Sequence, residues 1–215
     1  MAINPMKAES KAAVGIAILA KAPIAGLAKT RLIPRLGPAG AASLQAWLLR
    51  RTVATALAAD LGSVSLWCTP EIEHSEFAHC SSLGALTLKL QPDGDLGQRM
   101  HAAIADSVAP GGTLVIGTDC PVLSPELLRQ AADALHEHDA VVIPAEDGGY
   151  VLIGLRRPDW RVFEDVAWSS AQVMAQTRQR LAEAGLRWQE LSPLWDVDHG
   201  ADLDRLRLTF PGACP

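Results

Sequence analysis

Short apolar runs that alternate with longer amphipathic or alanine-rich stretches constrain the fold of this 215-residue chain more than any other feature. Several runs are apolar throughout, as expected of strands that are covered on both faces. The predicted strands are Val14–Ala20, Ser63–Thr69, Leu86–Leu90, Thr113–Gly117, Ala140–Pro144, Tyr150–Leu155 and Leu186–Leu191. The predicted helices are Pro38–Ala59, Leu96–Val108, Pro125–His138, Ser170–Ala184 and Ala201–Leu208. This order predicts a Rossmann-like α/β fold, with a mostly parallel central sheet and helices on both faces.

The composition is that of a globular protein, with 49% hydrophobic and 20% charged residues. We expect one domain over residues 14–209, preceded by an irregular leader, 1–13, and followed by a short tail, 210–215. The first apolar run is too short for a membrane span or a signal-peptide core. A cytoplasmic protein is therefore expected. The four cysteines have neither zinc-site nor redox spacing, which indicates reduced, mostly buried thiols.

The formal net charge of −5 limits the partners of the whole molecule. It provides no overall attraction to nucleic acid or to an anionic membrane, so neither is expected as a partner. A ligand that carries phosphate must instead be held by a local group of cations or by a metal. The sequence does not indicate an oligomeric state.

A glycine-containing basic loop follows the first predicted strand, at the sheet edge where α/β proteins bind ligands. It contains Lys21, Gly26, Lys29 and Arg31, and Arg35 follows. A glycine that allows close backbone approach, surrounded by cations, can cradle phosphates. The spacing matches neither a Walker P-loop nor a dinucleotide fingerprint, and a solvated basic loop remains the alternative.

An acidic side chain lies at the end of the fourth predicted strand, in the segment Gly117-Thr118-Asp119. A carboxylate in this position can bind Mg²⁺ or Mn²⁺, which prefer oxygen ligands and retain waters and substrate phosphates. The alternative role is to cap the next helix, but Ser124 already suits that role. We therefore predict Asp119 as a metal ligand.

Two further loops combine glycine with acidic residues. In Gly94-Asp95-Leu96-Gly97, Asp95 can cap the following helix, whereas capping alone does not explain the two glycines. Asp147-Gly148-Gly149 is a strong hairpin signal between two predicted strands.

These motifs, in this order, resemble a known family over nearly the whole chain, from Val14 to about Leu206. The segments AKAPIAGLAKTRLIPRLG, GDLGQRM, DGGYVLIGL and FEDVAWS are similar to those of radical-SAM/selenodomain-associated transferases, which are GT-A-type glycosyltransferases. A more distant resemblance connects the chain to 2-phospholactate guanylyltransferases and other nucleotidyltransferases. The resemblance implies a GT-A, or nucleotide-diphospho-sugar transferase, fold.

The resemblance also implies roles for individual residues. Lys21, Lys29 and Arg31 would contact the donor phosphates, with Gly26 in the same loop. Nucleotide contacts are implied for Gly94, Asp95, Gly97 and Arg99. Asp198 would be the second metal ligand beside Asp119, with Asp196 in reserve, whereas Asp202 would cap the last helix. The implied acceptor side comprises Asp147, Gly148, Gly149, Tyr150 and Trp168.

Three hypotheses for the function follow. The first is a metal-dependent glycosyltransferase that moves a sugar from a nucleotide-sugar donor to a small-molecule acceptor. The second is a nucleotidyltransferase that joins an NTP to a phosphorylated small molecule and releases pyrophosphate. The third is a non-catalytic nucleotide-binding module. In both enzymes, the predicted catalytic residues are Asp119, Lys29 and Asp147, the last as acceptor contact or general base.

Overall fold

The computed structural model describes residues 11–107 and 109–213 of the chain. Most of the predicted leader, Val108 and the last two residues of the predicted tail lie outside this range. The proposed domain boundaries therefore stay predictions.

A seven-stranded sheet forms the centre of the described part. Its strands are β1 (Gly15–Lys21), β2 (Val64–Thr69), β3 (Thr87–Leu90), β4 (Thr113–Ile116), β5 (Ala140–Pro144), β6 (Tyr150–Leu155) and β7 (Trp188–Glu190). They lie in the order β3-β2-β1-β4-β6-β5-β7, and β6 runs antiparallel to both of its neighbours, β4 and β5. The other pairs, β1 with β2 and β4, β2 with β3, and β5 with β7, are parallel. The structure confirms the predicted mostly parallel sheet.

The described residues form six α-helices: α1 (Ile33–Ala59), α2 (Ser75–Ser81), α3 (Leu96–Ala105), α4 (Pro125–Glu137), α5 (Val173–Glu183) and α6 (Gly200–Thr209). Short 3-10 turns occur at Thr30–Leu32 and Trp160–Val162. Helix α1 is broken at Gly37, which has φ 68° and ψ 168°, and Pro38 follows. The long predicted helix from Pro38 is thus preceded by one further helical turn.

Alternate residues of the strands pack on opposite faces of the sheet. Ile16 and Ile18 of β1 face a core shared with α1, α2 and α4, whereas Ala17 faces a core shared with α3 and α5. Helix α6 packs elsewhere, in a third cluster with the first part of α1 and with Trp195 and Val197. This last cluster brings the segment before α6 to the carboxyl end of the sheet.

The structure corrects several predicted element boundaries. Helix α2 was not predicted, because seven residues are too few to show a helical period. Helix α5 begins at Val173 rather than Ser170, since the Ser170 hydroxyl bonds the backbone of Ala167 and of Gln172 in a turn. Helix α3 ends at Ala105, and β7 is shorter than predicted.

Cys68, Cys80 and Cys120 are free and buried, as predicted. Burial raises the pKa of the Cys120 thiol to about 12. Within residues 11–107 and 109–213, no helix has the length and apolar character needed to cross a membrane. The cytoplasmic location stays a prediction.

Candidate active site

A cavity of about 570 Å³ opens at the carboxyl edge of the sheet. The ends of β1, β2 and β4 border it, and the start of β6 reaches the same edge because β6 is antiparallel. The predicted site residues that line it are Lys21, Lys29, Arg31, Arg99, Asp119, Tyr150 and Asp198. Those outside the lining are Gly26, Gly94, Asp95, Gly97, Asp147, Gly148, Gly149 and Trp168.

Lys29 joins three segments of the site. Its Nζ lies 2.8 Å from Asp119 Oδ1 and 2.5 Å from the carbonyl oxygen of Val197, and its side chain is only 4% exposed. The loop that carries it turns at Gly26, which has φ 84°. Burial of an ammonium group is costly unless it is paired. Here it forms an ion pair with the Asp119 carboxylate and donates a hydrogen bond to the carbonyl oxygen of Val197.

The two predicted metal ligands are each paired with a cation of the basic loop. Arg31 forms an ion pair with Asp198, as Lys29 does with Asp119. The backbone NH of Val197 donates to the carbonyl oxygen of Asp119. This hydrogen bond positions Asp198, the next residue, close to the end of β4. The structure thus brings both carboxylates and both cations into one cavity, although 168 residues separate Lys29 from Val197.

Asp196 is a third carboxylate in the cavity lining. Burial, followed by the negative charges of Asp147 and Asp119, raises its pKa to about 6. Asp147 therefore contributes to the electrostatic potential at Asp196, although Asp147 itself is exposed on the turn between β5 and β6.

Mg²⁺ or Mn²⁺ fits this group of residues only as a partly protein-bound ion. No three His, Cys, Asp or Glu side chains converge on one metal position in the described ranges. Asp119 and Asp198 would supply hard oxygen ligands, and waters and substrate phosphates would complete the coordination, which is how Mg²⁺ is usually bound.

The GDLG segment has structural roles of its own, and its nucleotide-binding role stays a prediction. Asp95 and Gln98 form a capping box at the start of α3, each side chain accepting from the other residue's backbone NH at 2.8 Å. A Cβ on Gly94 would collide with the side chain of Gln98. A Cβ on Gly97 would lie 2.7 Å from the ring of Trp168. Capping and packing therefore account for Gly94, Asp95 and Gly97, and none of them reaches the cavity.

Arg99 is the member of this segment that does reach the cavity. Its Nε is buried and has no hydrogen-bond partner among the residues that the structure describes, whereas its Nη1 lies 3.5 Å from Gln91 Oε1. A buried donor of this kind is costly unless a ligand or water accepts from it. Gln91, which also lines the cavity, was not predicted.

The predicted acceptor residues form the hairpin turn between β5 and β6. The Gly148 NH donates to the carbonyl oxygen of Ala145, and the Gly149 NH donates to Asp147 Oδ1 at 2.9 Å. Both amides are engaged within the turn in this conformation, and the acceptor-binding role of the two glycines stays a prediction. Gly148 is also packed tightly against the backbone of Ala171.

Two aromatic residues of the predicted acceptor side behave differently. Tyr150 lines the cavity, and burial raises the pKa of its hydroxyl group. Trp168 packs edge-on to Tyr150, with ring centroids 6.5 Å apart, and against Gly97. Trp168 lies outside the cavity lining, and its predicted contact with the acceptor stays a prediction.

Two further residues of the cavity lining, Gln45 and Thr118, were not predicted as site residues. Both are almost fully buried. The available signal was a single amide side chain on the apolar face of a long helix. Thr118 precedes Asp119 in the sequence, and its hydroxyl lies 3.2 Å from Asp119 Oδ1. In this segment, only Asp119 was predicted as a site residue.

A family model described as "Uncharacterized protein conserved in bacteria (DUF2064)" matches residues 52–170, more than half of the chain. The chain belongs to this family. The match includes the GDLG segment, Asp119 and the β5–β6 turn. The radical-SAM/selenodomain association in the name of the resembling family stays a prediction.

Two solved structures similar to this DUF2064 member are described as transferases. A proposed nucleotide-diphospho-sugar transferase from Desulfovibrio desulfuricans G20 is 29% identical, with a TM-score of 0.82 over 93% of this chain and 88% of that chain. A nucleotidyl transferase from Methanothermobacter is 15% identical, with a TM-score of 0.59 over 92% of this chain and 98% of that chain.

A third structure, a Mycobacterium tuberculosis H37Rv protein in complex with manganese, is 17% identical, with a TM-score of 0.54 over 90% of this chain and 97% of that chain. Among curated proteins, nothing matches the sequence. The similar structures confirm the predicted nucleotide-diphospho-sugar transferase fold and support a nucleotide-using transferase.

Proposed function

We propose that this protein is a metal-dependent glycosyltransferase that moves a sugar from a nucleotide-diphospho-sugar to a small-molecule acceptor. One observation carries the proposal: a single cavity at the carboxyl edge of the sheet contains two cations of the loop after β1 and two carboxylates at the ends of later segments. The similarity to the Desulfovibrio protein supports the choice of donor.

The donor diphosphate is assigned to Lys29 and Arg31, with Lys21 at the same edge. Phosphate oxygens can pair with Lys29 and Arg31 through charge-assisted hydrogen bonds, in the place of the carboxylates of Asp119 and Asp198 that form ion pairs with them in this structure. When the donor binds, its phosphates compete with the two carboxylates for the cations, which frees further carboxylate oxygens for a metal that the carboxylates already hold.

Asp119 and Asp198 would hold Mg²⁺ or Mn²⁺, which neutralises negative charge on the diphosphate leaving group. The manganese in the structure of the distantly similar M. tuberculosis protein supports this assignment.

Asp147 is assigned to the acceptor. Its carboxylate is exposed on the β5–β6 turn and its charge reaches Asp196 in the cavity. As general base, Asp147 would take the proton of an acceptor hydroxyl while that oxygen attacks the anomeric carbon. The bond from that carbon to the diphosphate oxygen breaks, and the nucleoside diphosphate leaves.

A second candidate is nucleotidyl transfer, in which a phosphorylated acceptor attacks the α-phosphorus of an NTP and pyrophosphate leaves. The specific observation in its favour is the number of cations in the cavity lining: Lys21 and Arg99 join Lys29 and Arg31. A triphosphate offers more oxygens to these groups than a diphosphate does.

A thermal-shift panel of NTPs, NDPs and nucleotide-sugars, with and without Mg²⁺ or Mn²⁺, tests the proposal, because a ligand that binds only the folded state raises the melting temperature. A metal-dependent shift with a nucleotide-sugar or NDP supports glycosyl transfer. A shift confined to one NTP supports nucleotidyl transfer and identifies the base. A shift without turnover or metal dependence supports the non-catalytic module. Release of nucleoside diphosphate or of pyrophosphate in an assay with candidate acceptors then separates the two reactions.

A further inference from the structure

Two nearly buried polar side chains of the cavity lining are connected to Asp119 by hydrogen bonds. Gln45 projects from α1 and is 3% exposed, and Thr118 precedes Asp119 after β4 and is 4% exposed. Buried polar groups persist when their hydrogen bonds are made, so the partners of these two define what they do.

The hydrogen bonds of Gln45 have one possible direction. Its side-chain nitrogen lies 3.3 Å from the carbonyl oxygen of Lys21 and 3.1 Å from Thr118 Oγ1. A carbonyl oxygen only accepts, so the amide must direct its NH₂ group, and not its oxygen, to this side. Gln45 therefore donates to the Thr118 hydroxyl.

The direction of the next hydrogen bond follows. A hydroxyl group has a single proton, and Thr118 Oγ1 is an acceptor toward Gln45. Its proton is left for Asp119 Oδ1, which lies 3.2 Å away. Gln45, Thr118 and Asp119 thus form a chain of donors that ends on one carboxylate oxygen.

The same oxygen forms an ion pair with Lys29, whose Nζ lies 2.8 Å away. Within residues 11–107 and 109–213, no side chain donates a hydrogen bond to the other oxygen, Oδ2. The contacts of Asp119 with Thr118 and Lys29 are thus both made through Oδ1, and the side chain as a whole is 47% exposed.

We infer that Gln45 and Thr118 are positioning residues that orient Asp119 so that Oδ2 is available to a divalent metal in the cavity. The inference rests on the proposed function, since it assigns a purpose to the orientation of a proposed metal ligand. Groups that hydrogen-bond a metal ligand fix its orientation, and their loss typically weakens metal binding by about 10–100-fold. The role depends on the hydroxyl of Thr118 and the NH₂ group of Gln45, and not on the volume of either side chain.

The test compares substitutions that keep and that remove these donors. Thr118→Val removes the hydroxyl at nearly constant volume, whereas Thr118→Ser keeps it. Gln45→Leu removes the amide, and Thr52→Val removes another buried polar group of α1 whose side chain donates to neither Thr118 nor Asp119. Circular dichroism and the melting temperature confirm that each variant is folded.

Mn²⁺ alone is titrated into each protein and followed by the relaxation of water protons. We expect Thr118→Val and Gln45→Leu each to weaken Mn²⁺ binding about tenfold. The double variant should bind Mn²⁺ no more weakly than the weaker-binding of the two single variants, because both substitutions act through Asp119. Thr118→Ser and Thr52→Val should bind as the unmodified protein does. Equal loss in Thr52→Val, or unchanged binding in Thr118→Val, overturns the inference.

A crystal structure of Thr118→Val separates this inference from the proposed function. We expect the Asp119 side chain to adopt more than one rotamer when the donor behind it is removed. If Asp119 keeps the orientation of the unmodified protein, the positioning role is wrong. If the unmodified protein binds no Mn²⁺, the metal dependence of the proposed function fails, and the rotamers of Asp119 still decide the positioning role.

Discussion

Lys29 combines two unfavourable features at one residue. Its backbone is left-handed, with φ 47° and ψ 45°, although it is not a glycine, and its ammonium group is buried. Such a backbone costs on the order of 1 kcal/mol or more and persists only where the surroundings hold it. Here the surroundings are Asp119 and the carbonyl oxygen of Val197. The sequence indicated the charge of Lys29 but neither its conformation nor its burial.

Removal of this ammonium group should weaken donor binding. We expect Lys29→Ala to raise the dissociation constant of the nucleotide about 10–100-fold, because hydrogen bonds to charged groups contribute about 1.5–3 kcal/mol. Isothermal titration calorimetry measures it. The matched control is Arg35→Ala, which removes a nearby cation that pairs with Asp204 and has no share in the cavity lining. Equal effects of the two substitutions would remove Lys29 from the binding site.

Asp119 provides the sharpest test of metal dependence. Asp119→Asn keeps the size and most hydrogen bonds of the side chain but removes its charge. We expect turnover with saturating metal and donor to fall at least about a hundredfold, since Lewis-acid stabilisation contributes several kcal/mol. The variant should still fold, but its melting temperature should fall, because the buried Lys29 ammonium loses the charge of its partner. Circular dichroism and turnover measured well below the lowered melting temperature separate this effect from the loss of metal. Near-normal turnover in this variant would contradict the metal hypothesis.

At the scale of elements, helix α3 shows how one motif can serve capping and packing. Capping explains Asp95 and Gly94, and close contact with Trp168 explains Gly97. Arg99 alone of the four predicted nucleotide contacts reaches the cavity. Asp95 was recognised as a possible cap in the sequence, but the packing of α3 against Trp168 required the tertiary structure.

Loss of the cap should affect stability and leave the site intact. We expect Asp95→Ala to lower the free energy of unfolding by about 1 kcal/mol, and Asp95→Asn to restore most of it, as asparagine is also a good N-cap. Urea denaturation measures both values. Nucleotide affinity should be unchanged in both variants. A weaker nucleotide affinity at unchanged stability would instead favour the binding role that the resemblance implied.

The close packing at Gly97 leads to a second prediction for this helix. A Cβ there would lie 2.7 Å from the Trp168 ring and 3.0 Å from Phe163 Cβ. We expect Gly97→Ala to be destabilising, because overpacking costs about 1–3 kcal/mol and outweighs the helical propensity that alanine adds. Gly117→Ala is the control, since no atom lies within 4 Å of its added Cβ. Equal unfolding free energies for both variants would show that α3 can move away from Trp168.

At the scale of the whole molecule, the charge of one site residue, Asp196, opposes folding at neutral pH. Burial and the charges of Asp147 and Asp119 raise the pKa of Asp196 to about 6, above its ordinary value of 3.8. Below pH 4 the carboxyl group is protonated in both the folded and the unfolded state, and no penalty arises. As the pH rises through 6, the folded state must hold a disfavoured charge, and stability is lost.

Asp196→Asn should remove this penalty. We expect the variant to be more stable than the unmodified protein at pH 7 by about 1–2 kcal/mol, after allowance for solvent screening of a partly exposed group. The difference should shrink as the pH falls through 6 and vanish near pH 4. Urea denaturation across this range, in buffer with a metal chelator, provides the measurement. A difference that is independent of pH would show that Asp196 is not desolvated in the folded protein.

The sequence by itself determined the strands and most of the helices, because the alternation of apolar runs and amphipathic stretches reflects local geometry and burial. It also indicated the segments after β1, β4 and β7 that line the cavity, since parallel strands bring their carboxyl ends to one edge. Only the tertiary structure decided which side chains meet there. The Lys29–Asp119 and Arg31–Asp198 pairs, and the support of Asp119 by Gln45, join residues far apart in the chain. Their contact depends on helix packing and backbone conformation, which no local pattern in the sequence encodes.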